Sequence, residues 1–440
     1  MGHGPSKSSD SEIGADLKLL CDSKTTQQER LPAFQRLNAH FAPVTKHQQS
    51  YAAELQRVFS LRFGQWPRQP SSTWSEQCAS RLADCVRGCI YGAALGDAAG
   101  LATEFLWRDT VTAHYGEGFD FRPGCEVYAD SHRMGFPTGD WTDDTDQLLL
   151  VLQSLLESGG RADAVDFGAK LMSWKEQGFE GLGDQGGCGL GQFTKAVLQH
   201  AGFLADPKGV AQQVWEKRGK SAAANGAVMR TAVTGIPFFW NLGIVRSNTL
   251  ELCSATHADP RCAASCVAAA SCVALLLQAA AADTSSADLD LQEIIEKALA
   301  LAEEDEGLGD EAQSELRRFA SASSLEELQL DEPRSIGYTF KCLGSGLWAL
   351  RRAGGTSGAD PKKVFEQTIS AVILQGGDAD TNAAVAGAPL LGCCLGYSQL
   401  PDTWIRGMPY VAWLEAWVQK LLFMLQLPVK AAEHDITQRR

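Results

Sequence analysis

Residues 139–145 read GDWTDDT, and with Asp146 they set Asp140, Asp143, Asp144 and Asp146 within seven positions. A second acidic stretch, GGDADTNAA, starts at Gly376 and carries Asp378, Asp380 and Thr381. Both run into apolar sequence. One or two carboxylates with a threonine cap a helix start and complement its dipole. Four within a turn or two repel one another unless a cation lies between them. Asp378 and Asp380 are two apart, so both aim inward only from a non-helical loop, which the Gly376–Gly377 pair permits. The donors in both motifs are carboxylates and threonine hydroxyls, with no Cys or His, which selects a hard cation: Mg²⁺, Mn²⁺ or Ca²⁺. Two such motifs, converging, hold two ions about 3.5–4 Å apart with a water or substrate between them.

Rival chemistries fail on spacing. Asp378, Asp380 and Asn382 match the first ligands of an EF-hand loop, but Ala383 occupies its glycine position and Pro389 its bidentate glutamate. DADT differs from an aspartate-nucleophile phosphatase motif, since Thr381 follows Asp380 immediately and QGG, not a strand, precedes it. GKS at Gly219 has Val214 where a phosphate loop needs its first glycine, and GLGDQG (181–186) follows a helix-like stretch in place of a strand.

The elements that must position these residues are helices. Apolar residues at helical spacing predict helices over 81–101, 146–157, 163–177, 207–218, 248–256, 261–282, 291–304, 336–352, 361–374, 382–395 and 404–425. Few stretches alternate with period two, so the expected class is all-α. Residues 1–75 form an N-terminal extension, disordered to about 24 and then helical. The compact body covers 76–427, with 283–332 as an acidic surface insertion carrying one amphipathic helix, and 428–440 is a tail.

The net charge of −14 argues against nucleic-acid partners. The 13 cysteines are odd in number, and several (Cys253, Cys262, Cys266, Cys272, Cys393, Cys394) sit in apolar sequence as small buried hydrophobes. A reducing, cytoplasmic compartment fits this usage. The run 262–282 has membrane-spanning length but consists mainly of Ala, Cys and Ser, which suits a helix buried in a soluble protein. The start, MGHGPS, is too polar for a signal peptide. It fits the myristoylation pattern at Gly2, which alone gives only transient membrane visits.

Five motifs in order give the chain a resemblance to the ADP-ribosylglycohydrolase family: GCIYGAALGDAAGLATEF ending near Glu104, GDWTDDT, NGAVMR (225–230), THADPR (256–261) and GGDADT. The match covers roughly residues 82–425. It implies a compact all-α fold with a cleft for two Mg²⁺ ions, Mn²⁺ being an alternative. By resemblance, Thr142, Asp143, Asp144, Asp378, Asp380 and Thr381 are the ligands. Glu104 closes over the substrate ribose, and Asn225, Gly226 and His257 line the ADP-ribose site. Gly376 and Gly377 allow backbone N–H groups to approach a pyrophosphate. Asp140 and Asp146 stand around the cluster, Asp97 beside it, and Trp141 is wall.

The implied activity is hydrolysis of the bond between ADP-ribose and an acceptor: a protein side chain, a polymer or a small molecule. Its transition state resembles an oxocarbenium ion. Glu104, Asp143 and Asp144 are the catalytic candidates, and the residues leave open which is the base. The expected partner is an ADP-ribosylated protein or conjugate, and the expected state a monomer. A metal-dependent phosphohydrolase of nucleotide diphosphates would use the same carboxylates, and a non-catalytic ADP-ribose-binding descendant would have lost a ligand.

Overall fold

The computed structural model describes residues 74–116, 118–282, 289–304, 307–354 and 359–428, side chains 385 and 386 aside. The motif at Gly2, most of the extension and most of the tail lie outside them. The principal helices are α1 (Glu76–Gly100), α2 (Arg108–Tyr115), α3 (Asp143–Glu157), α4 (Ala164–Gln177), α5 (Gln192–Leu198), α6 (Pro207–Lys217) and α7 (Leu242–Ser254). They continue with α8 (Pro260–Ala281), α9 (Leu291–Glu303), α10 (Asp310–Ala320), α11 (Thr339–Gly354), α12 (Pro361–Ile373), α13 (Ala388–Leu395) and α14 (Val411–Met424). No strand occurs among the described residues, only an isolated bridge between Ala224 and Tyr338. The fold is all-α, as the helical periodicity requires.

α1 is the central pillar, and it packs on α8 and α13, with α11 against both of these. Its closest contact is made by a stripe of glycines at four-residue spacing. A Cβ on Gly88 would stand 2.1 Å from the Gly392 carbonyl oxygen, one on Gly92 2.3 Å from that of Ala388, and one on Gly100 2.4 Å from the Asp380 Cα. The stripe therefore lets the chain from 380 to 392 lie backbone to backbone on α1, which fixes Asp380 beside the end of α1. That chain is helical over 382–395, as periodicity predicts, but it is not uniformly α-helical. It runs as a short turn at Ala379–Thr381, a π-helical stretch at Asn382–Gly387 and then α13, and π segments are frequent at functional sites.

α8 is long and apolar enough to cross a membrane by composition alone, yet it is a core helix, capped by Asp259 and lined by buried Cys262, Cys266 and Cys272. α3 starts three residues earlier than the periodicity indicates, because Thr142 caps it by accepting from Asp144 N–H. The stretch 404–425 divides into Asp402–Gly407 and α14, with Pro409 between them. α2, α5 and α10 were not expected. The acidic segment 283–332 is more than a surface elaboration: α9 and α10 bury Ile295, Leu299, Leu316 and Phe319 in the common core. In its following turn Asp331 accepts from Arg108 N–H at 3.1 Å.

Candidate metal centre

The last turn of α1 supplies Asp97, and the chain just beyond it supplies Glu104. Asp97 is fully buried and accepts from Thr142 N–H (2.9 Å), Thr145 N–H (2.9 Å) and the Thr145 hydroxyl (2.7 Å). It thereby anchors the whole TDDT turn to α1. Burial pushes its carboxyl up, against those hydrogen bonds.

Glu104, Asp378 and Asp380 each offer a carboxylate oxygen, and these atoms lie within 4.8 Å of one another. The two acidic motifs meet where the Thr142 hydroxyl stands 3.3 Å from Asp380 Oδ2. Asp143 and Asp144 are buried in the same field. Asp143 Oδ2 accepts from Gln147 Nε2 at 2.6 Å, and Gln147 is held in turn by Arg230 at 2.7 Å. Burial, with Asp97 and Glu104 adding repulsion, pushes the Asp143 carboxyl up to about 8. Burial and the neighbouring carboxylates drive Asp144 and Asp380 well above the usual range. Carboxylates crowded this way hold protons until a cation displaces them.

A hard cation fits this donor set. Asp144 Oδ2 and Asp380 Oδ1 are buried without a hydrogen-bond partner, which a native fold rarely tolerates. Glu104 joins the cluster as a third carboxylate, in addition to the ribose-facing position implied by its motif. It is fixed at both ends: Arg133 binds its carbonyl, and His132 Nε2 lies 2.5 Å from its Oε2. The hydrogen bond to Glu104 raises the His132 imidazole, while burial raises Glu104.

Asn225 Nδ2 donates to Asp378 Oδ2 at 2.9 Å, so the NGAVMR loop borders the cluster directly. Beside it, His257 lies against Gly226, where a Cβ would approach to 3.2 Å of the ring. Its Nδ1 pairs with the Thr256 hydroxyl at 2.8 Å, and its Nε2 is buried without a partner. Burial and Arg230 push its pKa down to about 3, so the ring is neutral.

Gly376 and Gly377 adopt φ +67° and +71° and carry the turn into Asp378. Their N–H groups are taken up by the Ile373 and Leu106 carbonyls, at 3.0 and 2.8 Å. The pair shapes the turn in place of presenting N–H donors to a pyrophosphate. Thr381, next to Asp380 in the chain, is buried. Asp146 accepts from the indole N–H groups of Trp141 and Trp174 (2.7 and 3.0 Å), and Asp140 from the backbone N–H of Trp141. Two clefts of about 810 and 590 Å³ flank the turn that carries His257, and the carboxylate cluster lies outside both.

Sequence reasoning missed His132, Arg133 and Gln147. Gln147 had a signal, standing four residues after Asp143 on one helix face. His132 and Arg133 had none, being separated from Glu104 by an irregular loop.

The ADP-ribosylglycohydrolase family model matches residues 79–430. A protein from Pseudomonas putida named ADP-ribosylarginine hydrolase Tri1 is 29% identical over 369 residues, which cover 81% of this chain and 83% of that protein. One of the same name from Serratia proteamaculans is 24% identical, covering 78% and 81%. An uncharacterised Archaeoglobus fulgidus protein is 27% identical, covering 76% and 95%. Among solved structures, a chain of an ADP-ribosylglycohydrolase-related protein complex superposes with a TM-score of 0.52 at 24% identity. It covers 80% of this chain and 100% of that one, a likeness of fold. With the family model spanning nearly all of the helical body and the buried carboxylates gathered on it, the chain belongs to the ADP-ribosylglycohydrolase family.

Proposed function

We propose that the protein is a Mg²⁺-dependent hydrolase that cleaves the bond between the distal ribose of ADP-ribose and an acceptor, with arginine as the first acceptor to test. The observation that carries the reading is the meeting of Glu104, Asp378 and Asp380 with buried, partnerless oxygens on Asp144 and Asp380. The relatives named ADP-ribosylarginine hydrolase support the acceptor.

Asp143, Asp144, Asp378, Asp380, Thr142 and Thr381 would hold two Mg²⁺ ions, with Mn²⁺ able to replace them. When bound, the metal would lower the pKa of a water and orient ribose hydroxyls. The chain's own residues do the rest. The carboxylates stabilise the positive charge that develops on the sugar ring at the transition state. Glu104, held by Arg133 and His132, has a fixed direction and a carboxyl raised by burial, which suits it to hold a proton near the ring. Neutral His257 and the Asn225–Gly226 turn would position the nucleotide half. We further propose a soluble cytoplasmic monomer, which sedimentation and fractionation test.

The deciding assay incubates the protein with ADP-ribosylarginine, with Mg²⁺ or with EDTA. Release of free ADP-ribose and arginine in the Mg²⁺ arm alone is the expected result. Release of AMP would replace the reading with a phosphohydrolase, and no product from any ADP-ribosyl conjugate would end it.

A further inference from the structure

Phe105 follows Glu104 and adopts φ +59°, a left-handed backbone that is an outlier for a bulky L-residue. It is locked there. Its N–H donates to the Gly377 carbonyl at 2.6 Å, and Arg133 binds the carbonyls of Glu104 and Ala102 on the chain before it. Burial of the ring does not compensate this strain, since Phe105 is 57% exposed. The ring lies 5.1 Å from that of His132, which also pairs with the Glu104 carboxylate. Trp107 and Met134 are also exposed, at 57% and 78%. A single exposed phenylalanine is ordinary. One held in a strained backbone next to a carboxylate of the metal cluster points to a ligand, because such strain gathers at binding sites.

The substrate's geometry says which half it meets. An acceptor borne on another molecule reaches the carboxylate cluster from solvent, and Phe105 is exposed beside Glu104. Asn225 and His257 are buried. We propose that the Phe105 ring is the platform on which the acceptor side chain rests, and that it selects a planar cation, the arginine guanidinium, by stacking; this rests on the hydrolase reading above. A guanidinium is flat, cationic, weakly hydrated and suited to an aromatic face, whereas a serine acceptor offers no plane and neither serine nor a carboxyl ester carries a positive charge. Phe105 is thus a specificity-determining residue for the leaving group.

Phe105→Asn tests it, since asparagine tolerates the left-handed backbone while removing the ring; Phe105→Tyr keeps the ring. The full chain with Mg²⁺ is assayed on ADP-ribosylarginine and ADP-ribosylserine, and free ADP-ribose binding is measured by calorimetry. Phe105→Asn should lower kcat/KM on ADP-ribosylarginine roughly tenfold. Phe105→Tyr should retain it, and neither should change the Kd of ADP-ribose. An unchanged kcat/KM, or an ADP-ribose affinity that falls in step, overturns the platform. Wild-type turnover of ADP-ribosylserine but not ADP-ribosylarginine overturns the guanidinium while leaving the hydrolase intact. Release of ADP-ribose from neither conjugate overturns the hydrolase reading and this inference with it.

Discussion

Asp97 Oδ2 accepts from both the N–H and the hydroxyl of Thr145, at 2.9 and 2.7 Å, so one carboxylate in α1 holds the first turn of α3 from across the core. Its other oxygen takes Thr142 N–H. Asp97→Asn would turn an amide N–H₂ toward donors and release part of this turn. Residues that orient metal ligands typically contribute roughly 10–100-fold to metal affinity. A loss of that size in a Mg²⁺ titration is expected, together with a lower Tm. Unchanged Mg²⁺ affinity would show that the turn holds itself.

Asp144→Asn and Asp380→Asn each remove a charge from a site where it is buried and repelled. Their metal-free forms should melt at or above the wild-type temperature. Saturating Mg²⁺ should stabilise the wild type by about 3 kcal/mol at a hundredfold excess over Kd. The variants should gain little and lose activity at least about a hundredfold. A variant stabilised by Mg²⁺ as strongly as the wild type would remove that residue from the ligand set.

The raised carboxyl of Asp143 sets the sign of a pH effect. Its folded pKa is about 8 and its ordinary value 3.8, so between these the folded state holds a proton that the unfolded state has lost. Stability of the metal-free protein should therefore fall as pH rises across that window, flattening above it. Asp143→Asn should shallow this slope in thermal melts from pH 5 to about 9, and Mg²⁺ should reverse it in the wild type, releasing protons on binding. A metal-free Tm that climbs with pH over the same range would contradict the assignment.

The α1 contact can be probed without touching chemistry. A Cβ at Gly96 would meet the Ala383 carbonyl oxygen at 2.6 Å and the Ala388 Cβ at 2.7 Å, mostly backbone that cannot yield. Gly96→Ala should cost about 3 kcal/mol. Gly135→Ala, with nothing within 4 Å of the added Cβ, is the control and should be near neutral. Equal melting temperatures for the two would mean that α1 and the 380–392 chain can separate at little cost.

Local features were legible in the sequence. Helical class follows from periodicity, and the hard-cation chemistry follows from the kinds and spacing of the donors in GDWTDDT and GGDADT. α8 was legible almost to the residue, because the Asp259–Pro260 pair is a local start signal. α3 was legible to within its first turn, which Thr142 caps ahead of the apolar run. The tertiary structure alone decided what depends on distant contacts. The π-helical stretch at Asn382–Gly387 lies on a glycine stripe from the opposite end of the helical body's sequence. Gly376 and Gly377 read equally well as phosphate-approaching or turn-forming until the Leu106 carbonyl took up the Gly377 N–H. Glu104 entered the ligand cluster, and His132 and Arg133 came to hold it, only through an irregular loop whose path no periodicity encodes. Spacing along a chain specifies which atoms can share a helix turn; which turns share a cation depends on packing between helices, and that is a property of the folded whole.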